Sequence, residues 1–401
     1  MPLALWALAV GAFGIGTTEF VVSGVLPGVA DEFGVSIPTA GYLATVYAIG
    51  VFVGAPLTTI IGARVERRRM LAAMMVLFII GNLFTTVAPT FAFVLVGRVL
   101  AALSHGAFIG IGTVVAASLV APNKGARAIA FMLSGMTLAN VVGVPAGTLL
   151  SQHVSWRAAF GVITVVGVIG VIGIRTLVPE GPKPQGARIR PEVAALTNPQ
   201  VILALSMTVL GFGGVFVSLT YVAPMMVEVA GFAESTVTWL LGLFGVGLVI
   251  GNMIGGRFAD RALMPMLYAG LTGLAVVLFA FTWGAHSKIA SAVCILLIGV
   301  FGFATVPPLQ KRVMDKAAGA PTLASAVNIG CFNLGNAVGA WLGGFVIARG
   351  LGLTAPNWAG ALLPAGALVL AFVSATLDRR DTLRDDHRNN AHPAEMSIVR
   401  S

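Results

Sequence analysis

Charge is scarce in this chain. Of its 401 residues only 10% are Asp, Glu, Lys or Arg, where a soluble domain carries about 25%. That deficit excludes a water-facing surface over most of the length. Cysteine is nearly missing as well: Cys294 and Cys331 are the whole complement, and both fall in apolar runs, so no disulfide framework is expected. The N-terminal MPLALWALAV has no basic n-region, and its apolar run continues to spanning length, so it is expected to be retained rather than cleaved as a signal peptide. The five histidines are scattered without metal-ligand spacing. No serine–histidine–acid set is present, since Ser104 beside His105 points another way round a helix. The glycine-rich GVGLVIG lies inside an apolar run with no strand before it, which argues against a dinucleotide site. An enzyme, a metal and a cofactor are therefore not expected.

What the chain has is apolar length. Its hydrophobic content is 57%, arranged in continuous runs of about 20 residues, the length of a bilayer-spanning helix. The runs lack the alternation that a barrel strand needs, and in lipid only helices or closed barrels satisfy the backbone. The expected fold is thus an all-α membrane protein. The net charge of +9 does not point to nucleic acid, because the basic residues lie in short loops between spans rather than on one soluble face.

Charge, Pro and Asn divide the runs into spans near 3–26, 38–60, 70–88, 91–119, 128–150 and 157–178, then 200–224, 235–256, 265–284, 288–309, 322–346 and 355–376. This gives a first six-helix bundle over 1–178, a polar, Pro-rich linker over 179–199, a second bundle over 200–377 and a tail over 378–401. The tail is almost without apolar residues and is expected to be disordered. With both ends cytoplasmic, inner loops and tail hold 20 of the 24 Lys and Arg residues; the outer loops hold Arg157, Lys288 and Arg349, and Arg98 is left inside a span. This bias predicts both termini inside.

The two bundles repeat. An offset of 197 maps Pro27 on Pro224, Gly34 on Gly231, Gly50 on Gly247, Gly54 on Gly251 and Arg64 on Arg261; an offset of 196 maps Asn140, Gly143 and Gly147 on Asn336, Gly339 and Gly343. Two similar six-helix halves around a midplane cavity are a transporter architecture.

Against this background Glu19, in GIGTTEFVVSGV, is the one carboxylate of 15 expected inside a span. A lone ionisable group in lipid costs roughly 2.5–3.5 kcal/mol on insertion scales and marks a proton or ion pathway. Helical rise places Glu19 about 12 Å and Arg98 about 10 Å from the outer ends of their spans, so the acid and the base share a depth. Either they form a static ion pair that fixes packing, or Glu19 exchanges a proton as two halves rock. Burial and a neighbouring cation pull a carboxyl's proton affinity in opposite directions, so changing either can load or unload it. One proton falling through 100 mV and one pH unit could sustain a gradient of roughly 500-fold for a neutral substrate.

His105 lies nearly two turns after Arg98 on the same face. Its ordinary pKa of about 6.5 suits a relay, and a neutral packed histidine is the alternative. Gly143 and Gly147 allow close helix approach, and Pro145 permits a bend. Asn140, Asn328, Asn333 and Asn336 either line a cavity or bond helix to helix. Tyr47, Tyr221 and Trp239 offer aromatic walls, with an interfacial belt as the other reading for Tyr221 and Trp239.

Several strings then resemble a known family: GTTEF with GVLPGVADEFGVSIPTAGYLATVYAIGVFVGAPL, SHGAFIGIGTVVAASLV, GVPAGT followed by WRAAF, PPLQKRV, and ASAVNIGCFNLGNAVGA. They resemble the major facilitator superfamily in its twelve-span drug:proton antiporter branch, near bacterial arabinose-efflux, purine-ribonucleoside-efflux and chloramphenicol-efflux exporters. The resemblance implies that Glu19 titrates and that Arg98 takes part in proton coupling. It makes GVPAG an exporter motif, here with a valine between Gly143 and Pro145. The inner gating loop, Arg64, Arg67 and Arg68, has Ala63 where the family has an acid; its repeat keeps Asp260 and Arg261. The expected activity is proton-coupled efflux of small organic molecules by alternating access, with a uniporter or importer of a sugar or nucleoside as the alternative. The expected partners are the substrate, protons and the lipid bilayer of a bacterial inner membrane, and the expected state is a monomer.

Overall fold

The computed structural model describes residues 2–62, 65–121, 124–181, 196–259, 261–317 and 321–391. Among the described residues there are helices and no strand, and twelve helical stretches are long and apolar enough to cross a bilayer. Span 1 is Leu3–Phe20 continued by Val22–Phe33, span 2 is Ile37–Ala40 with Tyr42–Gly62, span 3 is Arg67–Thr86 and span 4 is Phe91–Ser118. Span 5 joins Gly125–Leu138, a π-turn at Ala139–Gly143 and Val144–His153; span 6 is Trp156–Leu177. In the second half, span 7 is Pro199–Leu219 with Val222–Glu228, span 8 is Glu234–Ala259 and span 9 is Leu263–Gly284. Span 10 is Lys288–Ala304 with Val306–Lys316, span 11 is Pro321–Ala348 and span 12 is Ala355–Ala391. An even number of crossings puts both ends of the bundle on one side, the terminal face; the opposite side is the far face.

Proline sets three of the interruptions. Each proline removes the N–H that would bond the carbonyl four residues earlier. Pro224 frees the carbonyl of Thr220, and span 7 breaks at Thr220–Tyr221. Pro307 and Pro308 free those of Phe303 and Ala304, and span 10 breaks at Thr305. Pro145 frees that of Val141, and the wider π-turn absorbs it.

Span 12 carries on past its apolar stretch: residues 378–391 continue the helix to Ala391. No Gly or Pro interrupts this stretch, and Asp378 is anchored at 2.5 Å by both Arg312 Nη2 and Lys316 Nζ. The rest of the tail lies outside the described residues.

The repeat is visible in the packing. Gly34 and Gly231 both take left-handed φ, +61° and +68°, closing spans 1 and 7 where a Cβ would be strained. Gly50 and Gly54 bring span 2 onto span 4 at Ala102 and Leu103, as Gly247 and Gly251 bring span 8 onto span 10 at Leu296 and Val300. In hydrocarbon such backbone approach drives helix association.

The halves meet chiefly toward the far face. Gln152 on span 5 donates to the Glu234 carbonyl at 2.5 Å and accepts from Thr238 of span 8 at 3.3 Å. Phe20 packs on Phe216 with ring centroids 5.4 Å apart. At the terminal face, polar contacts among the described residues stay within a half: Arg68 bonds the Arg175 carbonyl and lies 3.6 Å from Glu180, while Arg312 and Lys316 hold Asp378.

Candidate functional site

Glu19 lies at the end of the first segment of span 1 and is 8% exposed. Its Oε1 accepts from Asn336 Nδ2 of span 11 at 3.3 Å, a bond between the two halves. Its Oε2 lies 4.0 Å from His105 Nδ1 of span 4, and the same nitrogen is 3.3 Å from the Tyr47 hydroxyl of span 2. Four spans thus converge on one carboxyl in the membrane interior.

Arg98 is fully buried but makes no ion pair with Glu19 among the described residues. The static pair weighed from the sequence is not formed. The guanidinium instead donates from Nη1 to the carbonyl and hydroxyl of Thr18, at 2.8 and 3.1 Å, and from Nε to the Leu43 carbonyl at 3.3 Å. Its Cζ sits 4.1 Å from the Tyr47 ring centroid, a cation–π arrangement. Nη2 has no hydrogen-bond partner among the described residues. The expected common depth is nevertheless met, since Arg98 grips the residue next to Glu19. Backbone carbonyls are one of the partners an intramembrane cation takes, and here they hold Arg98 without an ion pair to the acid.

The sequence reading missed two members of this group. Thr18 donates from its hydroxyl to Asn82 Oδ1 of span 3 at 2.7 Å, and Asn82 donates to the Phe78 carbonyl at 2.9 Å. A buried amide in an otherwise apolar span was the available signal, as it was for Asn140.

The asparagines divide. Asn336 reaches Glu19; Asn333 donates to the Ile329 carbonyl at 3.0 Å, and Asn328 donates to Gln310 Oε1 at 2.7 Å. The Oδ1 atoms of all three are buried without a partner among the described residues, leaving acceptors available in the second half. Asn140 turns back onto the Met136 carbonyl at 3.0 Å, and its own carbonyl abuts Gly245 of span 8. Tyr221 is not near Glu19: it is buried in the far-face seam, donating to the Ala340 carbonyl at 2.8 Å. Trp239 is 76% exposed, as a lipid- or interface-facing ring would be.

Gly143 and Gly147 press span 5 onto span 1: a Cβ there would lie 2.3 Å from Thr17 Oγ1 and 2.6 Å from Val21 Cγ2. Pro145 packs toward Gly242 of span 8. A crevice of about 330 Å³ beside the motif is lined by apolar groups such as Phe13, Leu149 and Val162; it lies on the outside of spans 1, 5 and 6, and the titratable cluster is not in it.

Of the gating loops, Arg64 and Asp260 lie outside the described residues. Arg67 begins span 3, half-buried, Arg68 binds the end of span 6, and Arg261 is exposed in the turn after span 8. Here too an acid was overlooked. Glu66 stands within the basic cluster and caps span 3, accepting from the N–H of Arg68 at 2.9 Å, of Arg69 at 3.0 Å and, beyond span 6, of Gly181 at 3.2 Å. Burial pulls its pKa upward, but those three donors and the Arg69 charge outweigh it and hold the carboxyl below its ordinary 4.5.

Two six-helix halves, joined near one face and sharing a buried carboxyl, define a membrane transporter rather than an enzyme. The family model described as Major Facilitator Superfamily matches residues 8–330, and the chain belongs to that superfamily. It is 44% identical over 371 residues to the inner membrane transport protein YdhP of Escherichia coli K12, covering 92% of this chain and 95% of that one. It is 35% identical to the putative transporter AraJ of E. coli K12, covering 94% and 95%. It is 33% identical to a chloramphenicol resistance protein of Streptomyces lividans, covering 94% and 97%. A crystal structure of a D-xylose–proton symporter shares the fold, with TM-score 0.75 at 15% identity over 92% of this chain and 96% of that one.

Proposed function

We propose that this transporter is a proton-coupled exporter of small amphipathic organic molecules, working by alternating access in a bacterial inner membrane. Its terminal face is cytoplasmic, in keeping with the distribution of Lys and Arg, so the far face is outward. One observation carries the reading: a buried carboxyl, Glu19, whose hydrogen-bond partner Asn336 belongs to the opposite half. A relative movement of the halves changes that partner and the access of water together, and both control whether a carboxyl holds its proton.

In the conformation described, the halves are joined near the far face. Opening there withdraws Asn336 from Glu19 and admits outside water, from which the carboxyl takes a proton as substrate leaves. Closure at the far face and access from the terminal face release that proton inward while substrate binds. Arg98, held by carbonyls rather than by Glu19, keeps a fixed positive field beside the carboxyl through the cycle. His105 and Tyr47 extend the site's hydrogen-bond path across spans 4 and 2. Names of relatives, chloramphenicol resistance and probable sugar efflux among them, support export and leave the substrate open.

The test uses everted membrane vesicles with an acid interior and a panel of amphipathic compounds. The wild type accumulates a transported compound and loses it when a protonophore is added. Glu19→Gln does not accumulate it but still exchanges it down its own gradient. Accumulation by Glu19→Gln at the wild-type level overturns the reading by taking coupling away from this carboxyl, and wild-type transport that only equilibrates the compound and is indifferent to the protonophore overturns it in favour of uniport.

A further inference from the structure

We propose that Tyr221 is the bolt that holds the far face shut, with Gly41 of the opposite half as its socket. Tyr221 occupies the break in span 7 (φ −109°, ψ 15°) and is 1% exposed. Its ring lies along span 11 at Gly343 and Gly344, and its hydroxyl donates to the Ala340 carbonyl. The hydroxyl end then crosses the seam. A Cβ built on Gly41, at the start of span 2, would lie 2.0 Å from the Tyr221 oxygen and 2.7 Å from Cζ.

The glycine at 41 is there for space. Its φ of −56° and ψ of −20° suit any residue, so backbone freedom does not explain it. Tyr221 and Ala340, both of the second half, pack with the hydrophobic cluster of the first half, so the contact is part of that half's interior.

The repeat shows that this feature belongs to one half only. The 197 offset places Gly24 where Tyr221 stands, and the 196 offset places Thr148 where Gly344 stands. In the first half a Cβ on Gly24 would lie 1.9 Å from Thr148 Oγ1; the small and large partners have exchanged sides. The first-half version stays inside its half. The second-half version projects a phenol ring toward Gly41. Opening the far face must draw Tyr221 out of the Gly41 socket, so its fit sets the balance between far-closed and far-open forms.

The experiment measures far-face separation by electron–electron resonance between spin labels at Asp31→Cys and Leu351→Cys. The full chain is reconstituted in nanodiscs, in a background carrying Cys294→Ala and Cys331→Ala. Gly41→Ala is expected to add a longer-distance population. Tyr221→Ala, which needs no extra room, is expected to do so as well. In the Tyr221→Ala background, Gly41→Ala is expected to add no further shift, the signature of one shared contact. A wild-type distribution in folded Tyr221→Ala overturns the proposal, as does a Gly41→Ala shift that persists undiminished without the ring. Neither result bears on proton coupling at Glu19.

Discussion

Asn336 donates to Glu19 from the other half of the molecule, Nδ2 to Oε1 at 3.3 Å. The bond joins residues 317 positions apart and ties a buried membrane carboxyl to the helix that must move relative to it.

Removing that amide separates packing from coupling. Asn336→Leu keeps the branched shape of the side chain and removes the donor. Hydrogen bonds to charged groups are worth about 1.5–3 kcal/mol, which corresponds to roughly ten- to a hundredfold in an equilibrium. Gradient-driven accumulation is expected to fall by at least about tenfold while substrate exchange persists. Accumulation and counterflow measured on the same vesicles check the split.

Arg98 is held by shape as well as by charge. A lysine retains the charge but loses the planar fork and the stack on Tyr47. Arg98→Lys is expected to cost about 1–3 kcal/mol of stability, read as a lower unfolding temperature in detergent, and to abolish accumulation. An Arg98→Lys protein with wild-type stability and transport would show that the carbonyl contacts carry nothing.

Much of this arrangement is legible in the sequence, for a physical reason. Charge is so costly in hydrocarbon that Glu19 and Arg98 stand out singly, and helical rise alone places them at one depth. The repeat is readable because Gly34 and Gly231 take a left-handed φ that disfavours a Cβ, while at Gly50 and Gly247 a Cβ would crowd the neighbouring span. What could not be read is azimuth. As an aromatic near a span end Tyr221 could be a cavity wall or part of an interfacial belt, but its direction depends on the break made by Pro224, and it points into the far-face seam. Likewise Arg98 and Glu19 share a depth without touching, because Thr18 and Leu43 offer carbonyls nearer to the guanidinium. Glu66 was passed over because the family places its acid three residues earlier.

Glu66 makes stability depend on acidity in a defined direction. Its carboxyl is held below 4.5 in the folded protein, so its contribution is fully present above the unfolded value and is lost as pH falls through the lower folded value. Glu66→Gln is expected to cost about 0.5–2 kcal/mol near neutral pH, the worth of a helix cap, and to reduce the loss of stability below pH about 4.5. Thermal unfolding of both proteins from pH 7 to pH 3 checks the sign; an unchanged acid limb would remove Glu66 from the account.

Proton exchange at Glu19 is read out by counting the protons released when substrate binds. A weakly buffered, detergent-solubilised sample is mixed with a compound identified by the vesicle panel, and pH is followed with an indicator dye. The wild type is expected to release protons in a substrate-saturable way, and Glu19→Gln, binding the same compound, to release none. Equal release from both proteins, or none from the wild type at any pH where it transports, would contradict it.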